Sequence, residues 1–249
     1  MAKTFDIGYW LKGIRLYIAV GIGMASVEIW WWAHSAYIGE LATIRAQETY
    51  GWFSVGLLAA ALAIGPLCKL IPQLPGKGML FDARRLLGVG SAWFASLHIG
   101  LAYGSQFKFA NPLSLASEYQ TAFALGVVAL IILLAMAFTS FDRAMAKMGK
   151  WWFRLHRLVY AAGLLTLVHI FMIGVHATVI KTLVILAILA IGLLVMHINV
   201  VIRQEKRATF WQIATIVATV ILLGLVLNYG IQQYINKNTG LLGSHSHGL

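Results

Sequence analysis

Long apolar runs alternate with short polar joints along this chain. The runs fall at about 14–38, 52–71, 86–104, 121–140, 155–175, 178–202 and 209–231. A helix needs about 20 apolar residues to cross the hydrocarbon of a bilayer, and each run is close to that length. Hydrocarbon offers no partner for a free backbone N–H or C=O, so only helices and closed barrels cross it. These runs are too long and too continuously apolar for barrel strands. The pattern predicts an all-α integral membrane bundle of about seven transmembrane helices, with 1–249 as a single domain. The joints read as loops: 39–51 is polar enough for the surface, Pro72–Ala83 is rich in turn residues, and 105–120 contains Asn111-Pro112. No internal repeat or low-complexity run is visible.

The charges orient this bundle. Of 19 Lys and Arg residues, Arg45, Lys108, Lys181 and Lys237 fall on one side and the other fifteen on the opposite side. Basic residues beside membrane helices mark the cytoplasmic face. The N-terminus is therefore expected in the cytoplasm and the C-terminus outside. The same logic accounts for the net charge of +11 without nucleic acid as a partner. Lys3, Lys12 and Arg15 before an apolar run resemble a signal peptide. Glu28 and Trp30-Trp31-Trp32 interrupt that pattern, so the segment is expected to stay as the first helix. Composition agrees: 60% of residues are hydrophobic and 11% charged, with a mean hydropathy of +0.81. No polar stretch is long enough for a nucleotide-binding, flavin-binding or protease domain. The single cysteine, Cys68, excludes an intrachain disulfide and a cysteine-built zinc or iron–sulfur site.

Against this apolar background the histidines ask for chemistry. His98 lies about 12 residues into the third run and His169 about 13 into the fifth. Both runs start inside, so the helices are parallel. At a rise of ~1.5 Å per residue both imidazoles sit ~18–20 Å from the cytoplasmic start. Two imidazoles at one depth on parallel helices are what axial ligation of one haem iron needs. Two unrelated packing histidines are the competing reading. Gly100 and Gly104 beside His98, and Gly163 and Gly174 beside His169, would let a flat ring approach, or would serve helix packing alone.

The remaining polar groups stay open. His156 lies ~20 Å below His169, near the inner interface, and could bind a second haem. The corresponding positions on the third helix hold Arg84 and Arg85, which cannot ligate iron but could pair with propionates or lipid phosphates. Thirteen residues at about 100° each put His156 and His169 on different faces, so a bend near Gly163 or another partner such as His197 would be required. His176 and His34 read as helix-end residues. Glu28, mid-membrane, could be a proton relay, a quinone-site residue or a protonated carboxyl with a partner. Trp30–Trp32, Trp151 and Trp152 suit interfacial belts. His245 and His247 read as a short flexible tail rather than a metal site.

Three blocks carry a family resemblance: Arg84-Arg85-Leu86-Leu87-Gly88 with Leu97-His98; Thr139-Ser140-Phe141-Asp142-Arg143 with Met148-Gly149; and Trp152-Phe153-Arg154-Leu155-His156-Arg157-Leu158-Val159-Tyr160 with Val168-His169. They resemble the ferric reductase-like transmembrane domain, whose wider group includes NADPH oxidases and six-transmembrane metalloreductases. The likeness covers about residues 50–200. It implies seven helices as a six-helix core plus one, with the ferric reductase-like core region at about 50–202 and the extra C-terminal helix at about 209–231. It implies one-electron transfer through haem b, with His98 and His169 matching the outer ligand pair and His156 the inner histidine of the fifth helix. The inner histidine of the third helix has no counterpart, so one haem is expected, two are conceivable, and a quinone or flavin could serve the inner side. The oxidases' flavin and nicotinamide domain has no counterpart in this composition. The expectation is thus a multi-pass subunit of a bacterial inner membrane rather than a complete enzyme. Electrons would enter from quinol, a cytosolic flavoprotein or a neighbouring subunit, and leave to a separate periplasmic oxidoreductase or cytochrome. The alternatives are a stand-alone ferric or cupric reductase and a non-redox seven-helix transporter or channel.

Overall fold

The computed structural model describes residues 7–109, residue 111 and residues 117–173. The chain divides into two units, Met1–Met172 and Ile173–Leu249. Apart from Ile173, the second lies outside the described residues. The expected sixth and seventh helices, His176, His197 and the histidine tail fall there.

The described residues form helices: α1 (Ile7–Ala36), α2 (Glu40–Leu70), α3 (Lys77–Leu101), a π-helical turn (Ala102–Gln106), α4 (Ser117–Phe138), α5 (Asp142–Met148), α6 (Lys150–His156) and α7 (Val159–Ile173). Four stretches are long and apolar enough to cross a membrane: Leu16–Ala36, Glu40–Leu70, Lys77–Gln106 and Tyr119–Phe138. The expected surface loop at 39–51 is instead almost entirely the start of α2. Its polar residues are taken up within the helix, as where Arg45 pairs with Glu48 at 2.8 Å and Thr49 bonds the Arg45 carbonyl. The turn between α1 and α2 is therefore only Tyr37–Gly39. Gly39, at φ 63° and ψ −139°, holds a conformation that a Cβ would obstruct. Likewise α3 begins at Lys77, inside the joint read as Pro72–Ala83.

α3 is the axis of this unit: it packs most extensively on α2 and also on α1 and α4. The reason is its run of small residues. Ser91 is fully buried and Ala92 nearly so, and small side chains let membrane helices approach closely, where packing and hydrogen bonds replace the hydrophobic drive. A Cβ at Gly90 would lie 2.6 Å from Ile22 Cδ1 on α1. One apolar cluster joins α1, α2 and α3 through Ile29, Ala33, Ala46, Tyr50 and Phe94. A second joins α2, α3, α4 and α7 through Leu58, Ala92, Leu133, Met136 and Ala162.

Hydrogen bonds tie the same helices across the apolar interior. Ser54 Oγ donates to the Ser91 carbonyl at 2.9 Å. Tyr50 Oη donates to the Ser26 carbonyl at 2.7 Å, and Trp93 Nε1 donates to Ser26 Oγ at 2.9 Å. Ser26 is thus the point where α1 is fastened to both α2 and α3.

The break between α6 and α7 falls at Arg157–Leu158, directly after His156, rather than near Gly163. Gly163 lies within α7, where a Cβ would make ordinary contact with Leu62 at 3.8 Å.

Candidate functional site

Two of the expected histidines are brought together. The rings of His98, on α3, and His169, on α7, have centroids 6.2 Å apart and planes at 85°. Each ring is fixed from behind by a neighbouring helix. His98 Nδ1 lies 2.9 Å from the Gln47 carbonyl oxygen of α2, and His169 Nδ1 lies 2.7 Å from the Ala122 carbonyl oxygen of α4. A carbonyl only accepts, so each Nδ1 carries the proton and donates. In the neutral imidazole the lone pair then resides on Nε2. Four helices therefore build the site, two supplying imidazoles and two supplying the carbonyls that orient them.

This donor set fits a haem. Metal–imidazole bonds run about 2.0–2.1 Å, and a ring centre lies roughly 1.2 Å behind its bonding nitrogen. One iron between two imidazoles thus asks for centres roughly 6.5 Å apart, close to the 6.2 Å observed. A structural metal ion held by protein alone usually takes four ligands. Among the described residues no group of three or more His, Cys, Asp or Glu gathers to hold one. Two imidazoles suffice where a macrocycle supplies the other four positions. An Nδ1–H bonded to a carbonyl is also the usual orienting contact behind a metal-bound histidine.

The chain turns into its π-helical segment just after this site. The Ala102 amide reaches both the His98 and Ile99 carbonyls, and Phe107 N–H bonds the Ala102 carbonyl at 3.0 Å. Widened turns of this kind are frequent next to functional residues. Beside Gln47, the atoms Arg45 Nε, Gln47 Oε1 and Glu48 Oε1 are buried without a hydrogen-bond partner among the described residues.

Other expected residues have different surroundings. His156 stacks on Trp152 at 3.8 Å. Its Nδ1 bonds the Trp152 carbonyl at 3.0 Å, and its Nε2 lies 3.5 Å from Ser140 Oγ. Arg85 forms an ion pair with Asp142 and reaches Met145 Sδ at 3.9 Å, while a Cβ at Gly65 would lie 3.6 Å from Arg84 Nη1. Trp152 is partly buried and donates to the Thr139 carbonyl at 2.9 Å, so it locks the α4–α6 corner rather than serving a lipid-facing belt. Trp31 and Trp151 are exposed, as belt residues would be. Glu28 is exposed and lines an open groove with Gly23, Met24 and Val27. His34 bonds the Trp30 carbonyl of its own helix at 2.9 Å.

Of the glycines singled out from sequence, Gly174 lies outside the described residues, and Gly100, Gly104 and Gly163 are not the ones that touch the imidazoles. A Cβ at Gly100 would meet nothing within 4 Å, and one at Gly104 would meet Phe109. The glycines against His98 and His169 are Gly51 and Gly126. In a chain with 24 glycines, composition gave no way to select them, since each faces a histidine more than 40 positions away.

Comparison with known proteins now adds to this geometry. Residues 50–167 match the family model described as "Ferric reductase like transmembrane component". That range includes Gly51, His98, Gly126 and His156 and ends two residues before His169. The chain is 32% identical over 165 residues to the protein-methionine-sulfoxide reductase heme-binding subunit MsrQ of Cronobacter sakazakii, covering 64% of this chain and 78% of the relative. It is 32% identical over 209 residues to the MsrQ of Enterobacter sp., covering 82% and 96%. It is 29% identical over 212 residues to an MsrQ of Yersinia pestis, covering 81% and 95%. No solved structure matches the chain. The four apolar spans, the three sequence blocks and these relatives agree: this multi-pass membrane chain belongs to the ferric reductase-like transmembrane family, within the group of MsrQ heme-binding subunits.

Proposed function

We propose that this chain is a haem b-binding membrane subunit of an electron-transfer system. It would take electrons from quinol, a cytosolic flavoprotein or a neighbouring subunit, and pass them to a separate periplasmic oxidoreductase. The observation that carries this reading is the pair His98 and His169, with ring centres 6.2 Å apart and each Nδ1 held by a helix carbonyl. The name of the relatives supports it, since they are called heme-binding subunits of a protein-methionine-sulfoxide reductase. The same name favours a reductase of that kind as the external partner.

A haem bound here would supply one-electron chemistry at an iron whose potential the surroundings tune. The protein's part is position. His98 and His169 would hold the iron from two sides, and the Gln47 and Ala122 carbonyls keep the rings from turning. The apolar cluster of Leu58, Ala92, Leu133, Met136 and Ala162 holds α2, α3, α4 and α7 together. At the inner end, Arg84, Arg85 and His156 lie ~20 Å below His98 and His169. We place the inner electron entry there and expect one haem per chain, because the His156 Nε2, the atom a ligand would use, already faces Ser140 Oγ at 3.5 Å.

The test is the reduced-minus-oxidised spectrum and the extracted haem per chain of the purified protein, with His98→Ala, His169→Ala and His156→Ala. The expected result is one b-type haem, lost in either of the first two variants and kept in the third. A well-folded wild-type protein without haem would overturn the reading. Two haems per chain, with one lost in His156→Ala, would assign the second to His156.

A further inference from the structure

His98 and His169 are seated in the same way on two different helices. On α2 the accepting carbonyl is that of Gln47, and the residue four positions on is Gly51. On α4 the accepting carbonyl is that of Ala122, and the residue four positions on is Gly126. A Cβ at Gly51 would lie 3.0 Å from His98 Nδ1 and 3.3 Å from its Cε1. A Cβ at Gly126 would lie 2.7 Å from both Cε1 and Nδ1 of His169. The histidines come from different helices and so do the seats, yet the spacing of acceptor and glycine is identical.

The helix explains that spacing. A side chain leans toward the N-terminus of its helix and covers the turn before its own Cα. The residue four positions after a carbonyl is also the one whose N–H that carbonyl already accepts. A slim hydroxyl can still pass a side chain there, as where Tyr50 Oη reaches the Ser26 carbonyl with Trp30 four positions on, but at positions 51 and 126 a side chain would run into the imidazole itself. Glycine leaves the second lone pair open, and the imidazole fits against the bare backbone. Many other glycines here show no such contact: a Cβ at Gly56, Gly88 or Gly100 would meet nothing within 4 Å.

We propose that Gly51 and Gly126 are positioning residues: they leave room for the rings of His98 and His169 to lie with Nδ1–H against the Gln47 and Ala122 carbonyls, and so fix in advance the tautomer that leaves both Nε2 atoms bare for one iron. This rests on the haem-ligand reading above. A methyl group at Gly126 displaces the His169 ring, and one at Gly51 pushes the His98 ring by a few tenths of an ångström, so that in each case the bond from Nδ1–H to its carbonyl is weakened. Loss of such an orienting partner typically weakens metal binding about 10–100-fold.

Two measurements on the full chain test it. The first uses haem-free wild-type protein with 15N-labelled histidine. The Nδ1–H tautomer is expected for His98 and His169, assigned by comparison with His98→Ala and His169→Ala. The Nε2–H tautomer in both overturns the proposal. The second titrates haem into wild type, Gly51→Ala, Gly126→Ala and the control Gly56→Ala, following affinity and the electron paramagnetic resonance and carbon monoxide-difference spectra. Gly51→Ala is expected to bind haem about 10–100-fold more weakly, with a shifted low-spin signal and a new fraction that binds carbon monoxide, while Gly56→Ala matches wild type. Its 3.0 Å contact is milder than the 2.7 Å at Gly126, so it is the primary variant. Gly126→Ala is read only in a monodisperse preparation. Unchanged affinity and spectra in Gly51→Ala overturn the proposal. Wild-type protein that takes up no haem overturns the functional reading instead, and the tautomer measurement still decides the seating.

Discussion

At the scale of single residues, what distinguishes His98 and His169 from the other described histidines is where the Nδ1 proton goes. His34 and His156 bond carbonyls of their own helix, four residues back. His98 and His169 bond carbonyls of other helices, 51 and 47 residues away in sequence. A bond within one helix only parks the ring, whereas a bond to a neighbouring helix fixes it relative to the bundle. The same distinction marks Tyr50, whose hydroxyl reaches the Ser26 carbonyl on α1 at 2.7 Å. Tyr50→Phe is expected to cost about 1 kcal/mol, read as a lower thermal unfolding midpoint in detergent. Haem content should stay at the wild-type level, because the ring still fills its place against Phe94.

At the scale of elements, α3 carries the most demanding packing. Its Gly90–Ser91–Ala92 stretch lets α1 and α2 come close, with Ile22 and Leu57 reaching over Gly90. Gly90→Val would drive a branched side chain into Ile22 Cδ1, and overpacking of this kind costs about 1–3 kcal/mol. The expected outcome is a lower unfolding midpoint and faster proteolysis of α1, with Gly88→Val much milder because nothing lies within 4 Å of a Cβ there. Equal stability of the two variants would mean that α1 is not docked through Gly90. α2 shows where the sequence pattern misleads. Arg45, Gln47 and Glu48 read as a surface loop, yet they lie in the helix, where Arg45 pairs with Glu48 and Thr49 bonds the Arg45 carbonyl. That early start is what carries the Gln47 carbonyl and Gly51 to the level of His98.

At the scale of the molecule, the distribution of basic residues makes a definite statement about sidedness. From the fifteen-to-four division of Lys and Arg the α2–α3 joint is expected inside and the end of α3 outside. In a Cys68→Ser background, Gln73→Cys and Gln106→Cys report the two sides, since both positions are exposed. A membrane-impermeant maleimide added to intact spheroplasts is expected to label the Gln106→Cys protein and to spare the Gln73→Cys protein until the cells are opened. Labelling in the reverse order would invert the topology and the direction of electron flow with it. On that expectation the His98–His169 pair would lie toward the outside and the Arg84, Arg85 and His156 group toward the inside.

Much of this was determined by the sequence alone. Apolar runs of membrane length dictate helices, because hydrocarbon leaves the backbone no other partner. Equal spacing of His98 and His169 from the inner ends of parallel helices gives equal depth, because the helical rise is constant. Depth is a one-dimensional property, so a sequence can carry it. Rotation about each helix axis is not: whether two rings face one another depends on packing angles set by Ser91, Ala92 and the glycines between helices. Only the tertiary structure could bring the rings to 6.2 Å, move the break of the fifth segment to Arg157–Leu158, and pick Gly51 and Gly126 as the seats. Those choices arise from contacts between residues far apart in the chain, where no local pattern records which glycine will meet which imidazole.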